Sequence, residues 1–257
     1  MTGPSSSDKP SVRADRQGRL LPKRFYKDVA MAAEGSAWRL LLDGRRAITP
    51  GKRPLAVRSH EISERIAAEW AAQGSHVDPA TMPVTTLVCT AIDAVAGQSE
   101  AVAAEIAKYA GSDLLCYRAD GPEGLVAAQA ALWDPVLAWA ARDLGVAMKV
   151  ADGLMPVVQP PETSARILAA IGERDPLALA ALHVLTTMTG SALLSLAVDR
   201  GHLSLEEAWR AAHVDEDWQI AQWGVDAEAI KRRAYRLAEV RAADFVLKAV
   251  TESSGRP

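Results

Sequence analysis

The chain has 257 residues, 49% of them hydrophobic and 24% charged, a globular composition that excludes collagen-like, low-complexity and disulfide-scaffold proteins. Lys and Arg number 29 against 32 Asp and Glu, so the net charge is −3 and the basic excess of a nucleic-acid binder is missing. Two cysteines, Cys89 and Cys116, are too few for a disulfide framework or a four-thiolate zinc site, and they read as buried thiols in a reducing compartment.

The first segment, 1–22, is a basic tail. Residues 1–24 carry a charge of +4, which leaves −7 on the rest of the chain. Pro4, Pro10 and Gly18, with few large apolar residues, predict a disordered tail. Asp8 and Asp15 count against the acid-poor composition of a mitochondrial leader, and no apolar run follows Met1 as a secretory signal requires.

Short strands come next. Phe25–Ala30 can be extended. Trp38–Leu42 and Arg45–Thr49 flank Asp43-Gly44, a dipeptide that accepts positive φ at both turn positions and so predicts a tight hairpin. Leu55–Val57 reads as a third strand after the Pro50-Gly51 turn.

Helices follow. Ser59 suits an N-cap, and Ile62, Ile66 and Trp70 form one apolar stripe beyond it. Helical spacing recurs over Thr85–Val95, and again in Val102, Ile106 and Tyr109. Leu114–Tyr117 reads as extended. Pro122 opens a helix carrying Leu125, Gln129, Leu132 and Trp133, and Asp134-Pro135 predicts that it restarts there. Residues 145–161 form a connector with a candidate strand at Val146–Val150.

Four helical signals fill the remainder. Glu162–Glu173 is the first. Pro176–Val198 contains no Asp, Glu, Lys or Arg and matches the roughly 20 residues of a bilayer span. Its His183, threonines and serines favour instead a helix surrounded by other helices, with His183 a hydrogen-bonded core residue. Ser204-Leu205-Glu206-Glu207 is a capping box. Asp226 starts the last helix, with Ile230, Leu237, Phe245 and Val246 facing inward. The fold class is α+β. A β-containing N-terminal domain spans 23–95, a larger all-helical domain spans 96–250, and a polar tail spans 251–257.

Motifs for chemistry are missing from the sequence. No phosphate loop, dinucleotide fingerprint, nucleophile elbow or zinc-ligand spacing occurs. No catalytic residue, cofactor or metal site is therefore expected. What stands out is seven Trp against two Phe. Trp209, Trp218 and Trp223 fall among Glu206, Glu207, Asp215, Glu216 and Asp217. Indole rings beside carboxylates suit a protein surface that is part apolar and part basic.

The order of several motifs resembles one family. Arg24-Phe25-Tyr26-Lys27 is followed by Leu42-Asp43-Gly44-Arg45 with Thr49-Pro50. Then come Glu69-Trp70 with Gln73, Met82-Pro83 and Thr90-Ala91-Ile92-Asp93. Asp113–Arg118, Gln129 with Trp133-Asp134-Pro135, and Asp215-Glu216 through Gln219 to Trp223-Gly224 complete the set. Over residues 23–250 the chain is similar to the chaperones that assemble the F1 sector of ATP synthase. It is closest in pattern to the branch that holds the α subunit, F1 complex assembly factor 2, in its α-proteobacterial type. The resemblance implies a small β-containing domain before a helical one, no enzymatic activity, and binding of the unassembled α subunit until the β subunit displaces it. It implies a monomeric protein of the bacterial cytoplasm (the mitochondrial matrix in a eukaryote), without stable membrane insertion. It points to Asp215, Glu216, Asp217, Trp218, Trp223, Glu69 and Trp70 as partner-binding residues. Trp218 stands where relatives often carry Tyr. The other reading the residues allow is an enzyme with a pocket between the two domains.

Overall fold

The computed structural model describes residues 20–153 and 156–253. The basic tail up to residue 19, part of the 145–161 connector and the last four residues lie outside the described residues.

The N-terminal sheet is antiparallel and centred on β2 (Ala37–Leu42). β1 (Val29–Glu34) pairs along the whole of one edge, from Val29 opposite Leu42 to Glu34 opposite Ala37. β3 (Arg45–Arg46) and β4 (Ala56–Val57) share the other edge. The β2–β3 turn has positive φ at Asp43 (49°) and Gly44 (73°), the hairpin geometry that Asp-Gly predicts. β1 begins later than the expected Phe25–Ala30. The backbone N–H groups of Lys27 and Asp28 donate to Asp43 Oδ1 at 2.9 and 2.8 Å, so these residues are held by the turn instead of a ladder. Those two amides also depress the Asp43 carboxyl pKa.

The inner face of the sheet, with Leu40 and Leu42 buried, packs on α1 (His60–Ala71). Ser59 Oγ caps α1, accepting from Ile62 N–H at 3.3 Å, and Ile62 and Ile66 are buried below it. α2 (Pro83–Thr90) runs into a wider π-helical turn, Ala91–Val95, that carries Asp93. Asp93 accepts from Thr49 Oγ1 at 2.6 Å and from Gly51 N–H at 2.7 Å. A Cβ on Gly51 would stand 2.6 Å from the Asp93 carboxylate, so a larger residue there would push that carboxylate off its hydrogen bonds. Two motifs far apart in sequence thus close on each other.

α3 (Ser99–Tyr109) leads to Asp113, whose carboxylate accepts from Leu115 and Leu193 N–H, both at 3.2 Å. That cap curls Leu114–Cys116 into a 3-10 turn where an extended run was expected. β5 (Tyr117–Arg118) then pairs in parallel with β6 (Ala151–Asp152). The strand lies just beyond the expected 146–150. Earlier, Gln159 takes both backbone groups of Lys149, donating to its oxygen at 2.8 Å and accepting from its N–H at 2.9 Å.

α4 (Glu123–Asp143) continues through Pro135 instead of restarting. Trp133, Val136, Trp139 and Ala140 are buried on one continuous face, and this packing outweighs the lost backbone hydrogen bond. Asp134 pairs with Arg118 at 2.7 Å and caps nothing. Among the described residues α4 alone is long and apolar enough to cross a membrane as a single helix.

α5 (Glu162–Ile171) precedes the central pair. The apolar run 176–198 divides into α6 (Pro176–Thr189) and α7 (Ala192–Asp199). Gly190 is left-handed, with φ 69°, and Ser191 caps α7 by accepting from Leu194 N–H at 3.0 Å. α3, α8 (Leu205–Ala212) and α10 (Ala227–Ser253) pack on both helices, and α5 packs on α7. His183 departs from its expected core position. It is half-buried beside an apolar cavity of about 340 Å³, its Nε2 3.8 Å from Glu105. Cys116 is fully buried, and burial pushes its thiol up to about 12; burial pushes Cys89 up to about 11.

Candidate functional site

Five of the seven partner-binding candidates lie on α9 (Val214–Trp223). The helix starts at His213, buried, with its Nδ1 2.8 Å from Trp209 O and its ring 3.9 Å from the Trp209 ring. Burial lowers the His213 pKa although Glu216 and Asp217 pull it upward. Asp215, Glu216 and Asp217 fill the first turn, where the N-terminal end of the helix dipole favours negative charge. Gly224, at φ 84°, ends the helix.

The three carboxylates have different surroundings. Asp215 Oδ1 accepts from Gln129 Nε2 at 2.7 Å, and Gln129 Oε1 accepts from Ala119 N–H at 2.9 Å. This chain ties α9 to α4 and to the segment after β5. Asp217 pairs with Arg233 of α10. Glu216 is exposed and makes no ion pair within 4 Å among the described residues.

The indoles divide in the same way. Trp209 faces the core, and Trp218 is half-buried against the first turn of α4. A Cβ on Gly124 would stand 2.4 Å from the far edge of the Trp218 ring, so glycine leaves the seat for that ring. Trp223 is 80% exposed. Next to it in sequence, Val225 and Ile230 are 53% and 54% exposed. Ile230 was expected to face inward. The buried stripe of α10 starts only near Val240, so its first turns stand clear of the core. Sequence periodicity misses this, because the same spacing continues along the helix whether or not the core does.

α9 and α10 enclose a groove of about 380 Å³, lined by Glu216, Gln219, Ile220, Trp223 and the guanidiniums of Arg232, Arg233 and Arg236. An exposed indole, two exposed aliphatics, and one carboxylate and two arginines without an ion pair among the described residues make a surface suited to a protein partner. The patch is mixed in charge, whereas its acidic residues alone suggested an acidic one.

Glu69 and Trp70 sit elsewhere, at the end of α1. Glu69 Oε1 accepts from Val84 N–H at 2.9 Å, and Oε2 accepts from Thr85 N–H and Oγ1, both at 2.7 Å. The carboxylate is therefore the cap of α2, whose own N-cap residue Met82 supplies no side-chain bond. Gln73 continues this clamp: its Oε1 accepts from Asp78 N–H at 2.7 Å and its Nε2 donates to Thr81 Oγ1 at 3.0 Å. Trp70 is half-buried, its ring 5.4 Å from Tyr26, whose hydroxyl donates to Trp70 O at 2.7 Å. Among the described residues no three His, Cys, Asp or Glu side chains are grouped to hold a metal ion.

Comparison with known proteins adds a family. A profile described as ATP12 chaperone protein matches residues 23–141. Atp12 from Paracoccus denitrificans is 41% identical over 89% of this chain and 98% of its own, with a TM-score of 0.80. A point-substituted form of Paracoccus denitrificans Atp12p is 40% identical, with the same coverage and the same TM-score. A chaperone candidate from Agrobacterium tumefaciens is 48% identical over 95% of this chain and 92% of its own, with a TM-score of 0.83.

Proposed function

Because this chain belongs to the ATP12 chaperone family, we propose that it is an assembly chaperone of ATP synthase that holds the unassembled F1 α subunit. The observation that carries the reading is Trp223, a large indole left 80% exposed at the mouth of the α9–α10 groove, with Glu216 beside it. Burying an exposed Trp in a partner's pocket is the usual source of interface affinity. Asp215, Asp217 and Trp218 act as positioning residues. They fix α9 against α4 and α10 so that Glu216 and Trp223 face outward.

An α subunit without its β neighbours exposes apolar surface that drives aggregation. Covering roughly 1,600 Å² at micromolar affinity, about −8 kcal/mol, would protect it and still yield to a larger native interface. The sequence offers no phosphate loop, so release comes from competition by the β subunit and not from nucleotide hydrolysis. The encounter belongs to the compartment in which the α subunit is made, the bacterial cytoplasm in this reading, and a monomer suffices for it.

The test is binding of purified α subunit by Trp223→Ala and Glu216→Arg. W223A should weaken binding about 30-fold, the effect of losing an anchor of ~2 kcal/mol. E216R should mainly slow association, and more so at low salt. Both side chains are exposed, so melting should match wild type. Unchanged binding by both variants would refute the site.

A further inference from the structure

We infer that the depression between the first segment and the β2–β3 hairpin is a second docking site, which takes a client segment carrying a large apolar side chain beside a carboxylate. Phe25 is 71% exposed and Ile48 61% exposed, and both line one cavity of about 520 Å³ with Trp70 and Arg45. Two large apolar side chains left in water on one concave wall are what an apolar anchor would cover. Phe25 is held edge-on to Tyr26, with ring centroids 5.3 Å apart, so the wall is preorganised.

The charge of the rim specifies the polar half of the occupant. Trp70 Nε1 is enclosed and has no hydrogen-bond acceptor among the described residues. A buried indole N–H without an acceptor is costly, so this wall of the depression holds an unrelieved polar group close behind its surface. The rim is also basic. Arg45 and Lys27 make no ion pair within 4 Å among the described residues, whereas Arg46 shares the Glu34 carboxylate with Arg39. Arg24 gives its donors to the neutral carbonyls of Tyr26, Lys27, Ala71 and Gln73, and its charge is paired with no carboxylate among the described residues. Asp43 supplies the opposing charge at the turn, its Oδ1 already taken by two backbone amides. An approaching carboxylate therefore meets a positive field at the rim.

This inference rests on the chaperone reading for the identity of the polypeptide, but it concerns a surface remote in sequence from α9. Two contact surfaces on one client would raise avidity beyond either alone. Full-length chain carrying the photo-cross-linker p-benzoylphenylalanine in place of Phe25, Ile48 or, separately, Trp223 tests it in cells. Mass spectrometry of the products should place positions 25 and 48 on one α-subunit segment in which an apolar residue adjoins Asp or Glu, and position 223 on another. In solution, Phe25→Ala with Ile48→Ala should weaken α-subunit binding about tenfold, the loss typical of an interface contact worth over 1 kcal/mol. R45E should slow association and R45K should not. Cross-linking from 223 but not from 25 or 48 would overturn the second site and leave the α9 reading standing. Products at 25 and 48 that lack a carboxylate beside the contact would overturn the stated chemistry. Failure at all three positions would remove both readings together.

Discussion

Glu69→Ala separates a folding role from a binding role. Among the described residues, the substitution removes the only side-chain acceptor at the start of α2, where Pro83 has no N–H and the amides of Val84 and Thr85 are the first free donors. It also strands the Thr85 hydroxyl, a buried polar group. Bonds to a charged acceptor contribute about 1.5–3 kcal/mol each, and three sharing one carboxylate do not add fully. A net loss of about 3 kcal/mol follows, since water can reach part of this half-buried site. For a chain of this length that lowers the melting midpoint by ~6–12 °C. E69Q keeps one acceptor but turns an –NH2 toward a donor, so it should recover less than half of the loss. The assay is thermal unfolding followed by circular dichroism, paired with α-subunit affinity well below the midpoint. Lower melting with unchanged affinity of the folded protein is the expected result. Unchanged melting with lost affinity would refute the capping argument and return Glu69 to the partner-binding set.

Three more outcomes follow from the structure. Burial raises the Asp113 pKa to about 6 against its backbone and Ser191 hydrogen bonds, so the folded protein holds that proton more tightly than the unfolded chain. Relative to D113N, wild type should therefore gain up to about 3 kcal/mol as pH falls from 7 to 4, read by urea unfolding across that range; a difference independent of pH would count against the buried charge. Gly124→Ala, normally worth about 1 kcal/mol of helix stability, should instead destabilise by ~1 kcal/mol and shift Trp218 fluorescence, because its Cβ overlaps the ring; a stabilised variant would contradict that seat. Burial raises both thiols, so iodoacetamide at pH 8 should leave Cys116 and Cys89 unmodified in the folded protein; rapid labelling of Cys116 would contradict its enclosure.

The parts of the fold that local chemistry decides were legible in the sequence. Asp43-Gly44 gave the hairpin, Ser59 the α1 cap and Ser204 with Glu207 a complete capping box. Tertiary packing overrode local signals at Pro135, where four buried side chains carry α4 through a proline. Gly190-Ser191 held the signal for the α6–α7 break, a left-handed C-cap followed by an N-cap, but the uniform apolarity around it hid the boundary. The motifs that carry the family resemblance divide by physical role. Asp93, Gln129, Asp113 and Asp215 all bond to groups distant in the chain, which fixes their spacing in sequence order without exposing them. The site itself was legible as a composition, indoles beside carboxylates. Which of them face outward was not, because Arg233, Gln129 and Gly124 arrive from other helices.

The most direct test of the central claim is renaturation of denatured F1 α subunit, diluted with or without an equimolar amount of this chain and followed by light scattering. Wild type should suppress aggregation without nucleotide, W223A should do so poorly, and added β subunit should release the chain as αβ assemblies form. Equal scattering with and without the chain, or release that requires ATP hydrolysis, would contradict that claim.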